Sequence, residues 1–123
     1  MTKLLLVFLG GGVGSILRYL VGMLTCQFGF AGRFPWATLA CNVLGCLLIG
    51  LFNALAGRLQ WDAELRLMLT VGLCGGFTTF SNFSNEGIDM MQSGCYVLYA
   101  AYAVMSILLG FEAVIAGMYI GNL

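Results

Sequence analysis

Four long apolar stretches, separated by short polar connectors, dominate the pattern of residues along the chain. They cover residues 4–24, 34–56, 67–85 and 95–121. Arg18 is the only charged residue in the first stretch and Glu112 the only one in the last, whereas the two central stretches have none. A transmembrane helix needs about 20 mainly apolar residues, and the first stretch has no small-residue cleavage site of the kind that ends a signal peptide. The pattern therefore predicts an all-α integral membrane protein with four transmembrane helices in a single domain, residues 1–123.

The third stretch ends in an unusual run of small, polar and aromatic residues, GGFTTFSNFSN, at positions 75–85. Adjacent glycines cost about 1 kcal/mol each relative to alanine in a helix, and the hydroxyls that follow can bond backbone groups of an interrupted helix. The sequence therefore predicts a break in the third helix between Gly75 and Thr79. Carbonyl oxygens freed by a break cannot face lipid, so they must be buried in protein, line water or bind a cation. In a twofold dimer with the break near the midplane, these oxygens from both subunits would meet and could bind a monovalent ion.

Phenyl and hydroxyl groups recur at helical spacing beyond the predicted break. Phe80 and Phe83 project from nearly the same face, and Ser81 and Ser84 form a second row beside them. The positive edge of a phenyl ring, a hydroxyl group and the amide of Asn42 can all receive an anion without holding it tightly, as conduction requires. In the alternative interpretation, the Phe pair simply packs and Asn42 bonds to a neighbouring helix. The pattern alone leaves both interpretations open.

Composition excludes several classes of protein. Five Lys and Arg balance five Asp and Glu, and there is no His, so the chain lacks both a basic surface for nucleic acid and the imidazoles of most zinc sites. The five cysteines have irregular spacing and no CxxC pair, which is more typical of small buried apolar residues than of disulfides or metal ligands. No nucleophile, base and orienting residue recur at usable spacing, so an enzyme is not indicated.

Glycines four residues apart predict close packing between helices. The pairs are Gly10 with Gly14, Gly72 with Gly76 and Gly117 with Gly121. Small residues at this spacing allow helix backbones to approach each other in lipid. The run GGGVGS at 10–15 fits neither a dinucleotide-binding pattern nor a phosphate-binding loop with its Lys, so we interpret it as a packing surface.

Positive charges give a weak signal for orientation. Lys3, Arg58 and Arg66 fall on the side of the N-terminus, while Arg33 and a snorkelling Arg18 fall on the other side. This distribution leans toward termini in the cytoplasm. It is also the pattern expected of a chain that inserts in both orientations and forms an antiparallel dimer.

Three segments of the chain, taken together, resemble one known family. They are GGGVGSILRY at 10–19, NVLGCLLIG at 42–50 and GLCGGFTTFSNFSNE at 72–86. In sequence, order and spacing they are similar to the signature segments of the Fluc/CrcB fluoride channels, and the similarity covers essentially the whole chain. The third segment is the most specific, because GGFTTFS followed by a second Phe three residues later is hard to obtain by chance in a small membrane protein.

The resemblance implies a fold, a function and a set of site residues. The fold is an antiparallel, dual-topology homodimer with two narrow fluoride pathways and one central sodium ion that is structural and not transported. The implied sodium ligands are the main-chain carbonyls of Gly75 and Thr78 from both subunits. Glu86 and Arg18 are expected near the pore mouths. The residues implied along the fluoride pathway are Asn42, Thr79, Phe80, Ser81, Phe83, Ser84, Tyr102 and Ser106.

The implied function is passive export of fluoride across the cell (inner) membrane, which lowers cytoplasmic fluoride. Two positions depart from the family pattern. Asn82 stands where relatives more often have Thr, and Gly110 stands one turn beyond Ser106, where some have a second Ser. At Gly110 this chain therefore lacks the hydroxyl that some relatives have at the far end of the polar line.

Two other classes of function remain as alternatives. A small multidrug transporter also has four spans, but its proton-coupled chemistry requires a carboxylate in the first span. Here the first acidic residue is Asp62, and Glu112 is the only acidic residue inside a span. The other alternative is a scaffold or assembly subunit that transports nothing.

Overall fold

The computed structural model describes residues 1–29, 32 and 34–123, and these residues form helices and connecting turns without a β-strand. Arg33, one of the positive charges used to predict the orientation in the membrane, lies outside the described residues. The helices, in chain order, are α1 Thr2–Gln27, α2 Trp36–Arg58, α3 Ala63–Leu67, a π-helix Met68–Cys74, α4 Gly75–Phe77, α5 Phe80–Gln92 and α6 Tyr96–Gly121.

Three of these helices are long and apolar enough to cross a membrane. They are α1, α2 and α6, with mean hydropathies of 1.9, 2.0 and 2.0 over their most apolar windows. Few of their side chains are buried within the single chain, as expected when lipid or another subunit covers them. The prediction of an all-helical, multi-pass membrane protein is confirmed.

The helix between α2 and α6 is interrupted. The π-helix joins α3 to α4, so residues 63–77 form one continuous helical segment, here called the first arm. Thr78 and Thr79 then adopt extended backbone conformations, with φ and ψ of −83° and 159° for Thr78 and of −153° and 124° for Thr79. Helix α5 begins at Phe80, and the Thr79 side chain caps it by accepting a hydrogen bond from the Asn82 N–H. The predicted break is therefore present, and it lies at Thr78 and Thr79.

The glycine pair does not itself break the helix. Gly75 and Gly76 are both helical, and a Cβ on Gly76 would collide with the backbone of Gly11 in α1. Gly76 is therefore needed for close approach to α1, and the interruption begins only where the side chains of Asn42 and Thr79 engage the backbone.

Close packing at the glycine pairs is confirmed. A Cβ on Gly14 would collide with the backbone of Leu73 and Phe77, and one on Gly10 would meet the Met68 carbonyl. Helix α1 therefore lies directly against the first arm. Helices α2 and α6 pack in the same way, because a Cβ on Gly117 would collide with the backbone of Leu47.

Helix α5 extends further than hydropathy indicates. The apolar pattern ends at residue 85, but the helix continues to Gln92 with Gly87 and Met90 on its buried side. Met90 packs with Leu39 of α2 and Tyr102 of α6 in the core. Residues 86–92 therefore form an amphipathic helical end that places Glu86 next to α2.

Candidate functional site

The extended residue Thr79 is held by a side chain of α2. The Asn42 Oδ1 accepts a hydrogen bond from the Thr79 N–H at 2.8 Å, and the Asn42 Nδ2 donates to the Thr79 carbonyl at 3.2 Å. Both backbone groups that an extended residue leaves without a helical partner are thus satisfied. Asn42 thus bonds to a neighbouring segment, as the alternative interpretation of its role expects. Its amide has a second N–H that is available for another acceptor.

At the break, two N–H groups that would normally donate to carbonyls of the helix donate to side chains instead. In a continuous α-helix, Gly75 O would accept from Thr79 N–H and Thr78 O would accept from Asn82 N–H. Here Thr79 N–H donates to Asn42 and Asn82 N–H donates to the Thr79 hydroxyl at 3.3 Å. The two carbonyls implied as sodium ligands are therefore the two whose normal donors are taken by side chains. Carbonyl oxygens without a hydrogen-bond donor are suitable ligands for a hard monovalent cation.

The Gly76 carbonyl has a different partner. Its usual donor, the N–H of Phe80, lies beyond the break, and the Arg18 Nε donates to it instead at 3.1 Å. Arg18 also lines a cavity of about 690 Å³ together with Thr38 and Asn82. The structure therefore places Arg18 beside the break and in the wall of this cavity.

A second cavity, of about 310 Å³, contains most of the residues expected along the pathway; we call it the aromatic cavity. The Phe80 and Phe83 ring centroids are 5.8 Å apart, in agreement with the shared face that their spacing predicts. Phe80 is 78% exposed in the single chain, so its ring projects away from the protomer. The aromatic cavity is lined by Asn42, Cys46, Thr78, Thr79, Phe80, Phe83, Ser106 and Ile107.

Two buried hydroxyl groups on α6 form no well-formed hydrogen bond with the residues that the structure describes, although Thr38 of α2 lies close to the hydroxyl of Tyr102. Among the described residues, the buried side-chain polar atoms without a hydrogen bond are Tyr102 Oη and Ser106 Oγ. Tyr102 is fully buried and its ring lies 5.0 Å from that of Phe83 and 5.5 Å from that of Phe34. The two residues are one helical turn apart on α6, and the Phe83 ring lies beside that of Tyr102. Buried hydroxyls normally have partners, and this pair therefore offers donors to a guest.

Glu86 lies at the other end of this series and has a partner that the sequence did not reveal. The Thr38 Oγ1 donates to Glu86 Oε1 at 2.5 Å, and Thr38 is 7% exposed. Glu86 also lines a cavity of about 280 Å³ with Asp89 and Ser93. In the sequence, the only indication of this contact was the spacing of Thr38 and Asn42, which places two polar side chains on one face of an uncharged span.

Ser81 and Ser84 are not brought into the aromatic cavity. Both are exposed in the single chain, and Ser81 contacts the Thr79 hydroxyl at 3.2 Å between oxygens. Gly110 is buried on α6 next to Cys46, so the line of hydroxyls from Tyr102 through Ser106 ends there.

Apolar helices around an interrupted helix, with uncharged polar groups gathered at the interruption, define a multi-pass membrane protein of the ion-translocating kind. Comparison with known proteins identifies the family. The family model described as CrcB-like protein, Camphor Resistance (CrcB), matches residues 5–118. The chain belongs to the CrcB-like family.

Similar proteins cover almost the whole chain. The fluoride-specific ion channel FluC of Phocaeicola vulgatus is 49% identical over 122 residues, which are 99% of this chain and 100% of the relative. FluC of Bacteroides fragilis is 44% identical, covering 99% of this chain and 98% of the relative. FluC of Gloeothece citriformis is 42% identical, covering 98% and 97%. The resemblance found in the three sequence segments is thus confirmed.

Proposed function

We propose that this protein is a fluoride-selective channel that lowers cytoplasmic fluoride by passive export. The observation that carries the proposal is the pair of buried hydroxyls, Tyr102 Oη and Ser106 Oγ, which form no well-formed hydrogen bond within the described protein and lie beside the Phe80 and Phe83 rings. Full-length relatives named as fluoride-specific channels support the same conclusion.

The chemistry of the series suits a small, strongly hydrated anion. Fluoride gives up its water only if several donors replace it together, and here these are hydroxyl groups, an amide N–H and the positive edges of phenyl rings. None of them carries a fixed positive charge, so binding is weak enough to permit release. A narrow path with these donors excludes chloride by size.

The driving force is electrical. A negative interior drives each anion outward by about 2.3 kcal/mol per 100 mV. The mechanism requires no nucleotide, and the residues act by replacing water and excluding larger ions.

The functional unit in this proposal is an antiparallel, dual-topology homodimer in the inner membrane. The first arm and α5 together form the third of four crossings, interrupted near the midplane, and two pathways run along the subunit interfaces. The high exposure of Phe80 in the single chain supports an interfacial position, because a large phenyl ring beside polar groups is then covered by the partner.

The central sodium ion is part of the same proposal. The ligands would be the Gly75 and Thr78 carbonyls of both subunits, whose usual donors are diverted to Asn42 and Thr79. When bound, sodium would neutralise the carbonyl dipoles that converge at the twofold axis. Well-purified protein that keeps full activity in sodium-free medium and contains no metal would remove this part of the proposal.

The direct test of the pathway uses two conservative variants. Phe80→Ile and Phe83→Ile keep apolar volume but remove the phenyl edge, so each should abolish or severely slow fluoride efflux while the dimer still assembles. Undiminished efflux in both variants contradicts the assignment of the aromatic rings.

A further inference from the structure

Arg18 is the one charged side chain of α1 that lies beside the interrupted helix. Its Nε donates to the carbonyl of Gly76, a residue 58 positions further along the chain. A cation at this place is favourable because the C-terminal end of a helix has negative partial charge. The bond is also charge-assisted, which makes it stronger than a neutral hydrogen bond.

The position of Arg18 relative to the first arm is fixed by backbone packing. Gly14, one helical turn before Arg18, has no room for a Cβ against Leu73 and Phe77. Gly76 has none against Gly11. The guanidinium therefore meets the end of the first arm from a helix whose backbone is in direct contact with that arm.

Three carbonyls near the break thus differ in their partners. Gly76 O is bonded by Arg18, whereas the normal donors of Gly75 O and Thr78 O are occupied elsewhere. A helix end with several unsatisfied carbonyls would otherwise fray or change its hydrogen bonding. Arg18 satisfies the Gly76 carbonyl, which follows directly after the first of the two carbonyls that are implied as ligands.

We propose that Arg18 is a positioning residue that clamps the Gly76 carbonyl and so fixes the Gly75 and Thr78 carbonyls in the arrangement that binds sodium. This inference rests on the proposed function and assigns Arg18 a role in cation binding, in addition to its place beside the large cavity.

The direction in which sodium affinity changes on replacement of Arg18 distinguishes a positioning role from a purely electrostatic one. A guanidinium near a cation site repels the cation, so a neutral residue at position 18 should strengthen sodium binding if charge alone matters. If Arg18 acts by positioning, the same change should weaken sodium binding. The two explanations predict opposite shifts.

The experiment compares the wild-type protein with Arg18→Met and Arg18→Lys. Sodium binding to the purified full-length protein is measured by calorimetric titration after exchange into sodium-free medium. Arg18→Met should weaken sodium binding about tenfold, corresponding to the loss of one charge-assisted hydrogen bond. Arg18→Lys should lie between Met and wild type, since it retains the cation but not the geometry of the guanidinium. Leu17→Met, an exposed neighbour on α1, is the control and should not change the affinity.

A second measurement, hydrogen exchange in sodium-free medium, tests the clamp independently of the ion. Peptides covering residues 75–82 should exchange faster in Arg18→Met and Arg18→Lys than in wild type or Leu17→Met. If Arg18→Met does not fold, the comparison with wild type uses Arg18→Lys alone. Unchanged exchange in these peptides, or sodium binding as tight as or tighter than wild type in the Arg18 variants, would overturn the inference. A wild-type protein without fluoride efflux would instead contradict the proposed function.

Discussion

Asn42 pairs with both backbone groups of Thr79. Its Oδ1 accepts from the Thr79 N–H at 2.8 Å and its Nδ2 donates to the Thr79 carbonyl at 3.2 Å. A side chain of α2 therefore takes the place of two helical hydrogen bonds, and the chain can remain extended at this residue without unsatisfied groups in the membrane interior.

The pairing predicts a loss of local order when Asn42 is changed. Asn42→Ala removes both hydrogen bonds and should cost about 2 to 3 kcal/mol, with faster amide exchange in residues 78–82 and little fluoride flux. Asn42→Asp is the matched variant, because its carboxylate can accept from the Thr79 N–H but cannot donate to the Thr79 carbonyl. Exchange as slow in Asn42→Ala as in wild type would show that other contacts hold the break.

The two buried hydroxyls of α6 predict a separation of stability from function. Tyr102→Phe and Ser106→Ala each remove a buried hydroxyl that forms no well-formed hydrogen bond with the described part of the chain, so the free energy of unfolding should be unchanged or should rise by about 1 kcal/mol. Fluoride flux should nevertheless fall in both variants. Thermal unfolding and liposome efflux, measured on the same preparations, test this separation. Destabilisation together with unchanged flux would assign the hydroxyls to structure.

The contact between α1 and the first arm predicts contrasting effects of two alanine substitutions. Gly14→Ala introduces a methyl group against the backbone of Leu73 and Phe77 and should destabilise the protein by several kcal/mol or prevent folding. Gly12→Ala is the control, because a Cβ there meets nothing within 4 Å. It should be neutral or slightly stabilising. Equal stability of the two variants would contradict the close packing.

The hydrogen bond from Thr38 to Glu86 predicts non-additive substitutions. Thr38→Val leaves the carboxylate without its donor, and Glu86→Gln weakens the same bond from the other side. The double variant should therefore lose less stability than the sum of the single variants, by about 1 kcal/mol or more. Denaturant unfolding of the four proteins measures this coupling, and strict additivity would indicate that the two groups act independently.

The end of the hydroxyl series at Gly110 predicts a tolerated gain of function. A Cβ at Gly110 would lie 3.5 Å from the Cys46 sulfur, an ordinary contact. Gly110→Ser should therefore fold normally and continue the line of Tyr102 and Ser106 by one turn, with fluoride flux equal to or above that of wild type. Gly117→Ser is the comparison that should fail to fold, since its Cβ would collide with the backbone of Leu47.

The sequence predicted the larger features because they depend on simple patterns. The apolar stretches located α1, α2 and α6, and the glycine pair together with the hydroxyls that follow it located the break between Gly75 and Thr79. The glycine spacings correctly indicated close packing, although Gly75 and Gly76 themselves remained helical. Their role could not be separated from that of the threonines without the positions of α1 and α2.

The finer features depend on contacts between distant residues. The bond between Thr38 and Glu86 joins helices whose register no single-chain pattern fixes, and the hydrogen bond from Arg18 to Gly76 joins residues 58 positions apart. The continuation of α5 to Gln92 was missed because its packing against α2 and α6 outweighs its polar composition.

The alternative of a multidrug transporter depends on Glu112. This residue lies on an exposed part of α6, away from the Tyr102 and Ser106 hydroxyls. Glu112→Gln should therefore leave fluoride flux unchanged. Transport of quaternary ammonium compounds that is pH-dependent and lost in this variant would favour the transporter.

Selectivity for fluoride is measured by ion efflux from liposomes that contain only this protein, with fluoride and chloride compared under the same voltage. A fluoride-selective channel should give rapid fluoride efflux in the wild type, no detectable chloride efflux, and loss of fluoride efflux in Phe80→Ile and Phe83→Ile. Absence of fluoride efflux from well-folded wild-type protein, or equal efflux of both anions, would contradict the proposed function.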